Sequence, residues 1–352
     1  MTRMRIRLGV AALLFGLPGL STAGWCQLAP SPDASPVSTA PAPPPEEKSV
    51  ATFKLNVNLV DVFFTVKAKD GTLVPHLSKD DCTVTEDKEP QKLKSFVAET
   101  QQPLTLGILL DTSGSQQRVL PLEQDVGSQF LARVLRQKDE AFLISFDVNV
   151  DMLQDFTNSP RLLSRAMSKA EINTAGGNGA AGIPGAGGGT VPVYGTPKGT
   201  VLYDAVYLAS NEKLNQESGR KAMILLTDGE DEGSDRKIGD AIAAAQKSNV
   251  LVYVILIADR GFYGGFGYGG FSAMKKMTEE TGGRLIDVGN NGKKLEAAFQ
   301  QIEDELRTQY VATYTPSNTK LDGSFRKLGV ECRGDGLKVQ VRKGYYATAP
   351  QE

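Results

Sequence analysis

Three continuous apolar runs constrain the fold of this chain more than any other feature. "LTLGILL" begins at Leu104, "KAMILLT" at Lys221 and "NVLVYVILIA" at Asn249. A strand with apolar side chains on both sides of its pleat must be covered on both faces, which is typical of parallel sheets between two layers of helices. The runs therefore predict strands of such a sheet.

Segments with helical periodicity alternate with these runs. They cover residues 120–136, 200–215, 236–248, 271–281 and 293–309. A glycine-rich segment, 175–189, interrupts the alternation and is expected to be a loop. Strand–helix alternation of this length predicts an α/β fold, with a doubly wound and mostly parallel sheet, over residues 103–308.

Two shorter regions of different pattern flank the α/β part. Apolar residues alternate with polar ones over residues 52–98 and again over 310–348, which is typical of half-buried strands. Neither region has enough strands to bury a core alone, so we expect them to join into one small β-sandwich with the α/β part inserted. Each contributes one cysteine, Cys82 and Cys332, and the pair is either a disulfide bridge or two buried thiols.

The N-terminus has the pattern of an export signal. Three arginines precede an apolar run over residues 8–17, and small residues follow, so residues 1–23 are predicted to be a signal peptide. Residues 24–51 are rich in proline and are expected to form an extended spacer. Cys26 follows Trp25 rather than a small residue, so lipid attachment is not expected. The sequence therefore predicts an exported protein, in the periplasm, at the cell envelope or outside the cell.

Charge and hydropathy exclude two other classes of partner. The chain has 39 basic and 41 acidic residues, and three of the arginines lie in the predicted signal. Such a balance does not suggest a basic face for nucleic acid. No later apolar stretch is long enough to cross a membrane.

Polar residues lie in three of the predicted loops between strands and helices. Asp111, Ser113 and Ser115 come directly after the first apolar run, in "GILLDTSGSQQR". Thr200 opens a helical segment, and Asp228 ends the second apolar run. In a doubly wound sheet, neighbouring strand ends form a crevice where the strand order reverses. We expect these residues to meet there.

The residue types in these loops indicate a metal site. Two carboxylates and three hydroxyls, without an imidazole or a thiolate, suit Mg²⁺, and also Ca²⁺ or Mn²⁺. Each piece alone has an ordinary interpretation, because a serine or aspartate before a helix is usually a cap. Their occurrence together, in this order at strand ends, favours metal binding. The single histidine, His76, argues against multi-histidine zinc sites and against a Ser-His-Asp triad.

The segments "LLDTSGS", "GTVLYDAV" and "ILLTDGEDEGS" resemble the metal-ion-dependent adhesion site of von Willebrand factor type A (VWA) domains. The overall layout resembles secreted bacterial proteins described as VWFA-related. The resemblance implies that Asp111, Ser113, Ser115, Thr200 and Asp228 form the metal site and that the protein binds a partner. Because these residues carry at most two negative charges, an Asp or Glu carboxylate of a protein partner is the expected further ligand.

Three other interpretations are weaker. Gly265, Gly267 and Gly270 have the spacing of a dinucleotide site, but six residues separate the preceding strand from the first glycine, so the tight turn is absent. A metal-dependent hydrolase would need a general base beside the ion, which the motifs do not supply. The tripeptide 333–335, "RGD", lies between alternating strands and is expected to be a hairpin turn. We therefore expect a binding protein rather than an enzyme.

Overall fold

The elements follow one another in three groups along the chain, in a computed structural model that describes residues 58–98, 102–173, 199–257 and 270–348. The first group contains β1 (Val60–Lys67), β2 (Cys82–Glu86), β3 (Glu89–Pro90) and β4 (Leu93–Ala98). The second contains β5 (Leu104–Asp111), α1 (Leu120–Val134), β6 (Glu140–Phe146), β7 (Val150–Thr157), α2 (Pro160–Met167), α3 (Leu202–Leu208), β8 (Arg220–Thr227), α4 (Ile238–Lys247), β9 (Val250–Leu256), α5 (Gly270–Thr281), β10 (Leu285–Asp287) and α6 (Gly292–Arg307). The third contains β11 (Tyr310–Tyr314), β12 (Phe325–Cys332), β13 (Lys338–Val341) and β14 (Gly344–Tyr346).

The second group forms a six-stranded sheet in the order β10-β9-β8-β5-β6-β7. Five strands are parallel, and β7 lies antiparallel to β6 at one edge. Every residue of β5, β8 and β9 is buried, and separate apolar clusters cover the two faces of the sheet. The predicted doubly wound α/β fold is confirmed, and its strand order reverses between β5 and β8.

The first and third groups together form two four-stranded antiparallel sheets, in the orders β13-β1-β11-β4 and β14-β12-β2-β3. Each sheet takes strands from both groups: β1 pairs with β11, and β2 pairs with β12. Residues of both sheets, among them Phe64, Val84 and Val330, share one hydrophobic core. The small sandwich expected from the two alternating regions is therefore present.

A disulfide joins the two halves of the sandwich. Cys82 and Cys332 are directly opposite one another in the β2–β12 pair, and their sulfur atoms are bonded. Of the two alternatives that the sequence leaves open, the structure has the bridge. It links positions 250 residues apart in sequence, on either side of the α/β part.

A buried carboxylate lies in the core of the sandwich. One oxygen of Glu86 accepts a hydrogen bond from the Arg326 guanidinium at 3.0 Å. The other accepts the hydroxyl protons of Tyr314 at 2.6 Å and Tyr345 at 2.8 Å. This carboxylate thus has a charged partner and two further donors.

A second buried carboxylate connects α6 to the sandwich. Glu305 on α6 accepts from Lys67 of β1 at 2.5 Å and pairs with Arg284 at 3.0 Å. Gln340 of β13 donates to its other oxygen at 3.2 Å. The last helix of the α/β part is therefore attached to β1 and β13 through a fully partnered charge.

The structure differs from the sequence-based expectations in two places. The helix predicted over 200–215 ends its α-helical part at Leu208 and continues as a π-helical turn and a 3-10 turn, through Gln216. The elements β6, β7 and α2 were not predicted at all. In β7 only half-buried and exposed positions occur, so its sequence has no apolar run to mark it.

Several predictions concern residues outside the described parts of the chain. They are the signal peptide 1–23, the spacer 24–51, the glycine-rich segment 175–189 and the glycines at 265 and 267. Within the described ranges, no helix combines the length and the apolar character that crossing a membrane requires.

Candidate metal centre

Asp111 is the last residue of β5, at the point where the strand order reverses. Its side chain is completely buried, and one carboxylate oxygen accepts from the backbone N–H of Ser113 at 3.0 Å. The other accepts from the hydroxyl of Thr227, the last residue of β8, at 2.6 Å. Thr227 in turn accepts from the N–H of Gly229 at 2.9 Å. The ends of the two neighbouring strands are thereby fixed to each other.

The two serines of the motif bring the first loop to Asp228. A 3-10 turn over Gly114–Gln116 follows Ser113, and it places the Ser113 and Ser115 hydroxyl oxygens 3.1 Å apart. Ser115 donates its hydroxyl proton to Asp228 Oδ2 at 2.5 Å. The alternate spacing of the two serines therefore points both hydroxyls to the same side, toward the loop that follows β8.

Thr200 lies beside both loops. Its backbone carbonyl accepts from the N–H groups of Glu232 at 3.0 Å and Gly233 at 3.2 Å, in the loop that begins with Asp228. The next residue, Val201, donates its N–H to the Asp147 carbonyl at 2.7 Å, and the Asp147 carboxylate accepts from the Thr112 hydroxyl at 3.0 Å. The structure thus brings all three predicted loops to one crevice.

Thr227 and Asp147 are residues that the sequence analysis missed. Thr227 positions the Asp111 carboxylate, and Asp147 connects the Thr200 loop with the loop that contains Thr112. The signal for Thr227 is a polar residue at the end of an otherwise apolar strand. The signal for Asp147 is weaker, since it depends on recognising β6 as the neighbouring strand.

The electrostatics of the crevice favour a cation. Asp111 and Asp228 are both buried, and burial followed by the charge of Asp228 raises the pKa of Asp111 to about 7. None of the ion pairs formed among the described residues involves Asp111. A neighbouring negative charge disfavours the ionised form of a buried carboxylate such as Asp111, and a nearby positive charge removes that penalty.

The donor atoms present fit a hard divalent ion. Carboxylate and hydroxyl oxygens are the ligand types that Mg²⁺, Ca²⁺ and Mn²⁺ accept. In the described parts of the chain, no group of three or more His, Cys, Asp and Glu side chains is arranged to hold a metal by itself. An ion in this crevice would therefore depend on hydroxyl oxygens as well as on the two aspartates.

Two other sequence features lie away from the crevice. His76 is exposed in the segment after β1, and the neighbouring N–H of Leu77 donates to the Tyr310 hydroxyl at 3.0 Å, so this imidazole belongs to the sandwich. The tripeptide 333–335 is exposed between β12 and β13. The expectation of a hairpin turn is wrong, because these two strands belong to different sheets. The glycine of the tripeptide, Gly334, has φ of 144°, which suits a turn.

Comparison with known proteins finds similarity at the level of solved structures. No protein-family model and no curated protein sequence matches this chain. The conserved hypothetical protein BatB from Bacteroides thetaiotaomicron is 16% identical, with a TM-score of 0.43 over 58% of this chain and 99% of that one. Proximal thread matrix protein 1 from the mussel byssus, with a zinc-occupied MIDAS motif, is 15% identical, with a TM-score of 0.45 over 63% of this chain and 50% of that one. The SpRpn10 VWA domain is 13% identical, with a TM-score of 0.38 over 56% of this chain and 94% of that one.

Proposed function

We propose that this chain is a metal-dependent protein-binding module that captures a carboxylate of its partner. Asp111, Ser113, Ser115, Thr200 and Asp228 hold a divalent ion, with Mg²⁺ as the first choice and Ca²⁺ or Mn²⁺ as alternatives. When bound, the ion supplies an electrophilic coordination position. The protein's own residues orient it.

The observation that carries this proposal is the contact across the crevice. Ser115 follows β5 and Asp228 follows β8, yet their side chains are 2.5 Å apart. Loops that belong to different strands and share polar side chains at a strand-order reversal form the usual ligand crevice of an open α/β sheet. A helix cap alone would not require Ser115 to face a carboxylate of another loop.

Access from solvent supports a partner rather than a purely structural ion. Gly114 is exposed, and apart from its two chain neighbours no described residue has an atom within 4 Å of the position that a Cβ would take there. Serine and threonine hydroxyls are neutral, so the five residues contribute at most two negative charges. The ion therefore keeps electrophilic character toward solvent, where an Asp or Glu of a partner is a natural further ligand.

A polar cleft next to the Thr200 loop has room for residues that flank such a carboxylate. It encloses about 850 Å³ and is lined by residues that include Val201, Asp204, Tyr207, Asp235 and Arg236. The Arg236 guanidinium lies over the Tyr207 ring, 4.3 Å from its centre. Because acidic residues outnumber basic ones there, we expect the partner's flanking segment to be neutral or basic.

The proposal describes a non-enzymatic, exported protein. Metal-assisted hydrolysis needs a general base beside the bound water, and the only imidazole of the chain lies at the sandwich. The sequence pattern of residues 1–23 supports export.

Partner capture tests the proposal. The full-length protein is immobilised and exposed to an envelope extract of the producing cell, in Mg²⁺ or in EDTA, with circular dichroism recorded in both. We expect partner proteins to be retained only in Mg²⁺, to be released by free aspartate or acetate, and to be lost with Asp111→Ala. The control is Asp335→Ala, which removes an exposed aspartate from the β12–β13 turn and should change nothing. Equal retention in Mg²⁺ and EDTA contradicts the proposal.

A further inference from the structure

A third carboxylate is buried on the helix that follows the first loop of the crevice. Glu123 lies in the first turn of α1 and is 0% exposed, and neither of its carboxylate oxygens accepts a hydrogen bond from any residue that the structure describes. An unpartnered buried carboxylate is costly, and such groups in a folded protein call for a specific explanation. The position itself gives none, since its neighbours on the buried side of α1, such as Val126 and Phe130, are apolar.

The surroundings of Glu123 connect it to the crevice. Burial, and after it the charges of Asp111 and Asp228, raise the pKa of Glu123 well above its usual range. No ion pair among the described residues includes Glu123. The Glu123 carboxylate therefore interacts electrostatically with the two crevice aspartates.

A second unpartnered acceptor occurs on the same segment. Gln116, which directly follows Ser115, is buried, and its side-chain nitrogen donates to the Ile257 carbonyl at 3.4 Å. Its side-chain oxygen accepts no hydrogen bond within the described parts of the chain. Gln116 and Glu123 thus both have buried acceptor oxygens without a donor among the described residues, on the segment that follows Ser115. Acceptors without donors are complemented by a cation or by the protons of water bound to one.

We propose that Glu123 is an outer-sphere carboxylate of the metal centre, which accepts hydrogen bonds from water on the core side of the bound ion and adds a third negative charge to the site. This inference rests on the proposed function, because it needs an ion in the crevice. Direct ligation is not required of Glu123, in keeping with the absence of a three-carboxylate cluster in the described residues. Outer-sphere partners of this kind tune the affinity of a site for its ion, and their removal lowers that affinity strongly.

The chemistry of the site gives Glu123 a definite role. The hydroxyl ligands are neutral, and without Glu123 the site balances a divalent charge only with Asp111 and Asp228. A third carboxylate makes the centre anionic toward the core, so the ion is held by the protein even before a partner arrives. Glu123 is a positioning residue in this scheme, and the partner still binds at the exposed side of the ion.

Manganese binding tests the role of Glu123. Wild type and Glu123→Gln are titrated with Mn²⁺, with the free ion followed by electron paramagnetic resonance, and thermal unfolding is recorded with and without EDTA. We expect at least tenfold weaker Mn²⁺ affinity for Glu123→Gln, while its melting temperature in EDTA is not lowered. The matched control is Asp125→Asn, which removes a charge from the exposed side of the same helix and should leave the affinity within twofold. Glu123→Met replaces the glutamine variant if the latter does not fold.

The outcomes separate this inference from the proposed function. Wild-type affinity in Glu123→Gln, beside clear binding by wild type, overturns the inference alone. A lower melting temperature in EDTA with unchanged affinity also overturns it, since Glu123 would then serve only the fold. No saturable Mn²⁺ binding by wild type overturns both.

Discussion

The sandwich and the crevice of the central sheet both bury carboxylates, but they complement them in opposite ways. In the sandwich, Glu86 pairs with the guanidinium of Arg326 and accepts two further hydroxyl protons. At the crevice, the described donors to Asp111 are an N–H and a hydroxyl, and Glu123 accepts no hydrogen bond from a described residue. The first arrangement is complete within the described chain, whereas Asp111 and Glu123 pair with no positively charged side chain among the described residues.

This difference separates a structural carboxylate from a functional one. Glu305 follows the pattern of Glu86, because Lys67 and Arg284 both contact it where α6 meets the sandwich. A buried charge that the chain itself neutralises maintains an arrangement of elements. Asp111, which has no ion-pair partner among the described residues, lies where β5 ends, at the strand-order reversal, and an ion from solution would supply the positive charge there.

The largest effect on the free energy of unfolding is expected from a substitution in the sandwich. Glu86→Ala leaves the buried Arg326 guanidinium without its charged partner, and breaking such a pair costs about 3–5 kcal/mol of unfolding free energy. Urea unfolding measures it, and Mn²⁺ affinity should be unchanged. Glu89→Ala, at an exposed position of the same hairpin, is the control and should cost less than about 0.5 kcal/mol. A cost for Glu86→Ala as small as that of the control would remove the contrast between the two regions.

A smaller effect on stability is expected when pH changes the protonation of Asp111 in the crevice. The pKa of Asp111 is raised from 3.8 to about 7, so in the metal-free protein its proton stabilises the fold at low pH, and this stability is lost as pH rises toward 7. An ion displaces that proton, so the stabilisation by Mg²⁺ should instead increase with pH over the same range.

Melting temperatures measured between pH 5 and pH 8 check both trends. In EDTA the contribution of Asp111 to stability should fall as pH rises, and the gain from Mg²⁺ should grow. Asp111→Asn should show a flatter profile than wild type in EDTA and no gain from Mg²⁺. The same EDTA profile for both proteins would mean that Asp111 does not titrate in this range.

The sequence could predict those features that depend on local pattern. Continuous apolar runs at β5, β8 and β9 indicate covered strands, and the spacing of Asp111, Ser113 and Ser115 indicates hydroxyls on one side of a loop. The role of these residues as metal ligands stays a prediction. The pairing of β1 with β11 could be inferred only from the shortage of strands in each region.

Other features depend on tertiary packing and could not be read from the sequence. The sequence pattern around Glu123 is that of an ordinary helix, and only the packing of α1 shows that this carboxylate is buried. The edge strand β7 has no buried face of its own, so no apolar periodicity marks it. The Cys82–Cys332 bridge requires the register of β2 against β12, across the whole α/β part.

The most direct test of the account is a Mn²⁺ titration of wild type beside Asp111→Asn, read by electron paramagnetic resonance and by thermal unfolding. The account predicts one ion per wild-type chain, and a melting temperature raised by about 5 °C when the ion is in 100-fold excess over its dissociation constant. It also predicts at least a hundredfold loss of affinity in Asp111→Asn, with the fold retained. Absence of saturable binding in wild type, or the same affinity in the two proteins, would contradict the claim that the crevice is a metal centre.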